Sequence, residues 1–255
     1  PGQSPDVLAI SFSATDSIGH TFGPHSLEYE DNLLRLDVTL AELFTFLDQQ
    51  VGLANTLIVL SSDHGVSDAP EYMQEHGFAV GRLSPKEVLR QVNTVFRARF
   101  GQHADLVLDF QASSLYLNRD LVAQVGLDIQ AAEHALAEQL LTIPGVAQAV
   151  TRSDLLRNAI PDTPLMHRVQ RSFHPQRSGN VMIVQEQYWF LHGQTQLAAM
   201  HGSPYAYDTH VPIIFAGGGI RPQTVSRTVA PADIAPTLSA LLGIIPPSGS
   251  TGTPL

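Results

Sequence analysis

Two short apolar runs enclose one long amphipathic stretch near the start of the chain. Residues 6–12 ("DVLAISF") and 56–62 ("TLIVLSS") have the length and composition of buried strands. Between them, apolar residues recur every three or four positions, and the pattern predicts a helix over residues 26–50 with Ser26 as its N-cap and Gly52 just beyond its end. A strand, a helix and a strand at this spacing predict a βαβ unit, and therefore a parallel sheet covered on both faces.

The middle of the chain follows a different pattern. A helix is predicted at 84–100, two polar-alternating strands at 104–110 and 113–118, a further helix that ends at Pro144-Gly145, and a strand at 146–151. These elements predict an inserted α+β subdomain over residues 83–160. The parallel pattern resumes at 180–186 and 211–219, and a helix at 231–242 precedes a Pro/Gly/Ser-rich tail. The predicted fold class is α/β, with three α/β/α layers around a mainly parallel sheet formed by residues 1–82 and 161–255.

Composition excludes several classes of function. The 255 residues include 14 basic and 24 acidic side chains, which give a formal charge of −10. Nucleic-acid binding needs a basic face that neutralises phosphates, so no nucleic-acid partner is expected. The absence of cysteine excludes disulfides, thiolate metal sites and cysteine nucleophiles. No apolar run is long enough for a membrane span.

Two acid–imidazole pairs follow the two strands of the predicted βαβ unit. Asp16 and His20 lie four residues apart in what is predicted to be a Gly-rich loop, and Asp63 and His64 directly follow the second strand. If the strands are neighbours, the two pairs face each other at the edge where open α/β sheets bind ligands. Carboxylates and imidazoles converging there would be costly to leave unpaired. Zinc accepts such a mixed Asp/His set in hydrolytic sites.

A third group of histidines lies in "MHGSPYAYDTHVPIIF", where His201 and His210 flank a loop before an apolar strand. Either histidine alone can be a packed or hydrogen-bonded loop residue. His134, in an Ala-rich helix, and His103, in a predicted turn, have no partner at ligand spacing, and structural or solvated roles are expected for both.

The segments "DSIGH", "SSDHG" and "HGSPYAYDTHVPIIFAGGGI", in this order, resemble the metal-binding motifs of the alkaline phosphatase superfamily. The resemblance is closest to the branch of phosphodiesterases, nucleotide pyrophosphatases and related bacterial alkaline phosphatases. "APADIAPTLSALLGI" and the closing "SGSTGTPL" also resemble the C-terminal helix and tail of that branch. The likeness therefore extends over essentially the whole chain.

The resemblance implies a site with two zinc ions that transfers a phosphoryl or sulfuryl group through a covalent enzyme intermediate. Asp16, His20 and His201 resemble the ligands of one ion, and Asp63 and His64 resemble ligands of the other, with His201 preferred over His210 because it opens the "HGS" run. The implied substrate is a small phosphate ester, either a monoester or a diester. The implied location is periplasmic or secreted.

The chain departs from the family pattern at its start. The family's nucleophile, a threonine or serine at a helix N-terminus, and a further aspartate ligand precede the first of these motifs. Ser13 and Thr15 do not occupy the nucleophile position. The resemblance therefore implies a C-terminal portion without the nucleophile, inactive alone, which self-associates or needs an N-terminal segment. A sulfatase or phosphomutase of the same superfamily, or a non-catalytic metal-binding or interaction domain, are the alternative functions.

Overall fold

The computed structural model describes residues 5–101 and 105–255, and His103 lies outside them. The α-helices are α1 (Ala14–Phe22), α2 (Leu27–Gln50), α3 (Pro70–Glu75), α4 (Pro85–Phe100), α5 (Arg119–Gln124), α6 (Ile129–Leu140), α7 (Arg152–Arg157), α8 (Pro164–Ser172), α9 (Ala206–Thr209) and α10 (Ile234–Leu242). The strands are β1 (Leu57–Ser61), β2 (Ser67–Asp68), β3 (Val107–Gln111), β4 (Ser114–Leu117), β5 (Val146–Thr151), β6 (Val181–Gln185), β7 (Ala199–Met200) and β8 (Ile213–Gly217). Short 3₁₀ turns cover Leu53–Asn55 and Pro231–Asp233.

The chain forms two compact units. One comprises residues 20–24 and 66–209, and the other comprises residues 1–19, 25–65 and 210–255. The division passes through α1, so that this helix contributes residues to both units. The predicted boundaries at residues 83 and 160 stay a prediction.

The unit of residues 20–24 and 66–209 is built on a four-stranded sheet in the order β3-β4-β6-β5. Each neighbouring pair in this sheet is antiparallel. One face of the sheet packs against α4 and α6 through a large apolar cluster that includes Val92, Phe96, Leu115 and Leu136. Helices α4 and α6 begin close to where the sequence predicts, and Asp128 caps α6 by accepting hydrogen bonds from two backbone N–H groups.

Strand β6 was predicted to belong to a parallel core, and this placement is wrong. All five of its residues are buried, a pattern typical of parallel strands. The physical reason for that burial is different here, because the alternating side chains of β6 enter two separate cores. Val181 and Ile183 belong to the cluster on one face of the sheet, whereas Met182 and Val184 belong to a second cluster on the other face.

The other unit contains a two-stranded antiparallel ladder of β1 and β8, in which Leu57 is opposite Gly217 and Ser61 is opposite Ile213. The α/β class is confirmed, but the predicted mainly parallel sheet is wrong, because every strand pair among the described residues is antiparallel. The run at 6–12 is not a strand: residues 5–12 are exposed, and no described strand pairs with them. An apolar run does not specify a partner, and an extended segment becomes a strand only where a neighbour satisfies its backbone groups.

Helix α2 agrees with its prediction. It begins directly after Ser26, whose side-chain oxygen accepts a hydrogen bond from Tyr29 N, and it ends before Gly52, which has a positive φ of 83°. Within the described residues, no helix is both long enough and apolar enough to cross a bilayer.

Gly145 is required by a close approach inside the unit of residues 20–24 and 66–209. Its φ is +92°, and a Cβ built on it would lie 2.2 Å from the ring of Trp189. Trp189 also covers Gly81, where a Cβ would come within 3.2 Å of the indole. These two glycines let the only tryptophan of the chain lie flat against backbone.

A buried carboxyl group joins four elements of the same unit. Glu133 of α6 is 1% exposed, and it accepts hydrogen bonds from Ser153 N at 3.0 Å, from Ser153 Oγ at 2.6 Å and from Asn180 Nδ2 at 2.8 Å. Asn180 in turn accepts a hydrogen bond from Leu117 N at 3.0 Å. This network ties α6 to α7, β4 and the start of β6.

We expect Glu133→Gln to destabilise the protein by about 2 kcal/mol, because the new amide N–H₂ would face donors and leave a buried group unsatisfied. Chemical denaturation measures the change in the free energy of unfolding. Glu138→Gln, at an exposed position of the same helix, is the matched control and should change stability little. Equal losses in the two variants would contradict the role of the network.

A second carboxyl group fixes the C-terminal tail. Asp233 is buried and accepts hydrogen bonds from Thr253 N and Ala230 N, each at 2.8 Å. These backbone donors hold the pKa of Asp233 below its usual value of 3.8. Leu255 N donates to Thr237 Oγ1 at 2.9 Å, so that the tail predicted as a loop is irregular but held against α10.

Because the folded-state pKa of Asp233 is lowered, its contribution to stability is complete above its unfolded-state pKa and is lost as the pH falls through the folded-state pKa. The stability difference between the wild type and Asp233→Asn should therefore be largest near about pH 6 and shrink below about pH 4. Urea unfolding at several pH values measures it. Asp37→Asn, an exposed change on α2, should show no such trend. A difference that is independent of pH would exclude this explanation.

Candidate metal centre

Helix α1 carries the first acid–imidazole pair. Asp16 and His20 lie one turn apart and therefore on the same helical face. The predicted Gly-rich loop is wrong, because residues 14–22 are helical. Gly19, which suggested a loop, is buried, and a Cβ there would come within 3.2 Å of the ring of Tyr29. The glycine thus serves close packing of a helix rather than a turn.

The ring of His20 is oriented by the backbone of β7. His20 Nδ1 lies 2.8 Å from the carbonyl oxygen of Ala199, and Ala198 N donates to the carbonyl oxygen of His20 at 2.9 Å. A carbonyl oxygen can only accept, so Nδ1 carries the proton in this bond and Nε2 keeps its lone pair. Metal-binding histidines are usually fixed in this way, with the second ring nitrogen bonded to a carbonyl or carboxylate.

His201 directly follows β7 and meets the bare nitrogen of His20. The two Nε2 atoms are 3.1 Å apart, and the ring centroids are separated by 5.0 Å at an interplanar angle of 47°. Two imidazole nitrogens bound to one tetrahedral zinc ion would be about 3.3 Å apart, given Zn–N bonds of about 2.0–2.1 Å. The observed separation therefore fits two ligands of one ion.

Asp16 completes a group of three possible ligands. One oxygen of its carboxylate and one ring nitrogen each of His20 and His201 all lie within 4.8 Å of one another. A carboxylate and two imidazoles form the mixed oxygen and nitrogen set that suits zinc. The residues present therefore fit the metal that the sequence resemblance implies.

The loop after His201 is held by a buried acid. Gly202 has a φ of +98°, and the next residue, Ser203, donates its backbone N–H to Asp208 Oδ2 at 2.6 Å. Asp208, in α9, is 4% exposed. This contact fixes the backbone on the C-terminal side of His201, while the β2–β7 ladder fixes it on the N-terminal side through Met200.

Two tyrosines of the same loop are held in their neutral form. Burial, with smaller contributions from Glu186 and Tyr207, raises the pKa of Tyr205 to about 12. The hydroxyl of Tyr205 donates to the carbonyl oxygen of Gln185 at 2.7 Å. Burial is also the largest cause that raises the pKa of Tyr207. The loop is thus attached to β6 by a phenol that keeps its proton at neutral pH.

Asp63 and His64 lie one residue beyond the end of β1 and do not belong to the group of three. His64 Nδ1 lies 2.9 Å from the carbonyl oxygen of Gly65, so Nδ1 donates in this bond. His64 Nε2 is 3.5 Å from Asp63 Oδ2. The side chain of Asp63 is 88% exposed. The pair resembles half of a second ligand set.

The other candidate histidines, His210 and His134, are not part of the group of three possible ligands. His210, directly after α9, is exposed and is not one of the three clustered residues, whereas His201 is. The Nδ1 atom of His134 is hydrogen-bonded to the carbonyl oxygen of Gln130, and its Nε2 atom is 3.2 Å from Asp154 Oδ2. These contacts agree with the structural role expected for this histidine.

Sequence reasoning missed Arg82, which holds the segment that leads to β7. Its guanidinium forms a bidentate salt bridge with Glu71 at 2.7 and 2.8 Å, and donates to the carbonyl oxygens of Gln194 at 2.7 Å and Leu197 at 2.9 Å. It also lies over the ring of Phe190, 4.9 Å from the centroid. Nothing at the sequence level distinguishes this arginine, because its partners are mostly backbone carbonyls 112 to 115 residues away.

We expect Arg82→Gln to loosen the contact between β7 and His20, because the carbonyl oxygens of Gln194 and Leu197 lose a charged donor that contributes about 1.5–3 kcal/mol. Hydrogen exchange of the Ala198 amide, which is bonded to His20 O, should become at least about tenfold faster. Arg90→Gln, which breaks an exposed salt bridge with Glu87 on α4, is the control and should leave this amide unchanged. Unchanged protection in Arg82→Gln would contradict the assignment.

Comparison with known proteins identifies the family of this chain. A family model described as type I phosphodiesterase / nucleotide pyrophosphatase matches residues 2–205. The chain is 32% identical over 255 residues to a protein named calcium-transporting ATPase from Myroides odoratus, covering all of this chain and 46% of that protein. It is 31% identical over 250 residues to alkaline phosphatase PafA from Elizabethkingia meningoseptica, covering 98% of this chain and 45% of that protein.

A solved structure of wild-type alkaline phosphatase PafA superimposes with a TM-score of 0.86 at 32% identity, covering 95% of this chain and 45% of that one. The chain spans about half the length of the curated relatives that it matches. Because the family model covers most of the residues, including Asp16, His20 and His201, the chain belongs to the type I phosphodiesterase / nucleotide pyrophosphatase family, in the alkaline phosphatase superfamily.

Proposed function

We propose that this chain provides the zinc ligands of a phosphate-ester hydrolase that acts on small monoesters or diesters. The convergence of Asp16, His20 and His201 carries the proposal, because their ligand atoms lie within 4.8 Å of one another and the two Nε2 atoms have the separation expected at zinc. The likeness to proteins named alkaline phosphatase supports the choice of phosphate esters.

Zinc bound here would supply a Lewis acid that stabilises negative charge on a phosphoryl oxygen. The protein's own contribution is to present its ligands in one orientation. The carbonyl of Ala199 keeps His20 in the tautomer with a bare Nε2, and Arg82 holds the segment before that carbonyl through Leu197. Asp208 holds the backbone after His201 through Ser203. None of these contacts involves a metal, and each restricts the position of a candidate ligand.

Asp63 and His64 are proposed to be two of the ligands of a second zinc ion. The separation of 3.5 Å between His64 Nε2 and Asp63 Oδ2 is close to the distance of about 3.3 Å between two ligands of one ion. The bond from His64 Nδ1 to Gly65 O orients the ring as Ala199 does for His20. Catalytic zinc sites usually have three protein ligands, so this pair alone should bind more weakly than the group of three.

Metal binding is tested first on the 255-residue chain. The zinc dissociation constant, measured by competition with a fluorescent chelator, should rise at least about 100-fold in His201→Ala. It should change less than about threefold in His210→Ala, because that side chain is not one of the clustered ligands. The reverse order would show that His210 is the ligand.

Hydrolysis is tested on the zinc-loaded product of the complete reading frame. We expect turnover of nitrophenyl phosphate, or of the corresponding diester, that is lost in His201→Ala. Preferential turnover of nitrophenyl sulfate would favour a sulfatase. Transfer of phosphate between two positions of a sugar phosphate, without hydrolysis, would favour a phosphomutase. Zinc binding without any of these reactions would favour a non-catalytic domain. The same assay on the 255-residue chain tests the expectation that the nucleophile lies upstream.

A periplasmic or secreted location and self-association of the chain also stay proposals, the first supported by the family resemblance. Cell fractionation tests the location, and a purely cytoplasmic signal would exclude it. Light scattering on the purified chain tests self-association, and a monomer mass at high concentration would exclude it.

A further inference from the structure

A groove on the unit of residues 20–24 and 66–209 is separate from the residues proposed to bind zinc. It has a volume of about 470 Å³, within the range of about 300–1,000 Å³ that is typical of small-molecule sites. The β3–β4 turn, strand β6, helix α8 and the segment after α8 form its walls, together with Gly202 and Ser203 from the loop that follows His201.

The charge of the groove is opposite to that of the protein. Arg168, Arg177 and His174 line it, and none of the residues that line it is an aspartate or a glutamate. The chain as a whole carries 24 acidic and 14 basic residues. A concave surface with basic groups and without acidic ones concentrates anions, even on a protein whose net charge is negative.

The basic groups are available to a ligand. Arg168 is partly buried, and its Nη1 donates to the carbonyl oxygen of Pro204 at 2.7 Å, which orients the guanidinium and leaves its other N–H donors for a ligand. Within residues 5–101 and 105–255, neither Arg168 nor Arg177 forms an ion pair. His174 accepts a hydrogen bond from Gln176 N through Nδ1, so its Nε2 carries the proton and is a donor.

Two acids are bonded to residues that line the groove but are not part of its lining themselves. Asp109, on β3, accepts hydrogen bonds from Phe110 N and from the side-chain amide of Gln111. Asp208 is buried and accepts from Ser203 N. Both acids therefore have donors of their own and are not among the residues that line the groove.

We propose that this groove binds a small anion that carries several phosphate groups, such as an oligophosphate. Arginine guanidinium groups and a histidine N–H are donors that phosphate oxygens accept, and all three line this groove. The choice of phosphate over other anions rests on the proposed function, whereas binding in the groove itself requires no metal.

The direct test is calorimetric titration of the metal-free 255-residue chain with tripolyphosphate at low ionic strength. We expect saturable binding of one anion per chain that weakens as salt is added. Arg177→Gln should weaken binding at least about tenfold, because that guanidinium makes no ion pair that the fold would lose. The double variant Arg168→Gln/Arg177→Gln should weaken it at least about 100-fold.

Two controls separate this site from the proposed zinc site. Arg157→Gln removes an arginine of the same unit that is paired with Asp154 outside the groove, and it should bind tripolyphosphate like the wild type. His201→Ala should also bind tripolyphosphate normally while it loses zinc. Absence of saturable binding, or equal affinity in Arg177→Gln and Arg157→Gln, would overturn the proposal. Loss of tripolyphosphate binding in His201→Ala would place the anion at the histidines instead.

Discussion

The hydrogen bond between His20 Nδ1 and the carbonyl oxygen of Ala199 determines what the candidate centre can do. It joins a helix near the start of the sequence to a two-residue strand 179 positions later, and it places the proton of this bond on Nδ1. His201, two residues beyond Ala199, brings its Nε2 to 3.1 Å from His20 Nε2. The backbone at Ala199 therefore orients one candidate ligand, and the next candidate lies two residues along the same segment.

Two other residues hold the backbone on either side of Ala199 and His201. Arg82 binds the segment just before it, and Asp208 binds the loop just after His201. Neither residue is one of the clustered ligands. Arg82 Nη2 donates to the backbone carbonyl of Leu197, and Asp208 accepts from the backbone N–H of Ser203, so these two contacts restrict where the chain runs. A charged donor to a carbonyl and a carboxylate that accepts a backbone N–H are among the stronger hydrogen bonds in proteins.

The sequence predicts some features well because their causes are local. The cap at Ser26 and the Pro-led start of α4 follow from residue types within a few positions. The quoted motifs also contain the three residues that cluster, Asp16, His20 and His201, and their role as metal ligands stays a prediction. Strand direction is not local. The apolar run of β6 agrees equally with a parallel strand and with an antiparallel strand that lies between two cores. Its direction depends on its partners β4 and β5, which lie far away in the sequence.

The helical form of α1 shows the same limit at shorter range. Gly19 weakens helix propensity, and the sequence alone suggests a loop, but packing against Tyr29 outweighs that cost of about 1 kcal/mol. Arg82 and the basic groove were missed for a related reason. Their significance comes from partners far along the chain, such as Leu197 for Arg82 and Pro204 for Arg168, which no spacing rule connects.

The packing of Trp189 on Gly145 and Gly81 has a practical consequence. Because the chain has one tryptophan, its tryptophan fluorescence comes from a single ring that lies against Gly81, next to Arg82. The next residue, Phe190, lies under the Arg82 guanidinium and pairs with its backbone. Tryptophan emission should therefore change when the packing around Arg82 and Phe190 is disturbed, and this packing can be followed without a label.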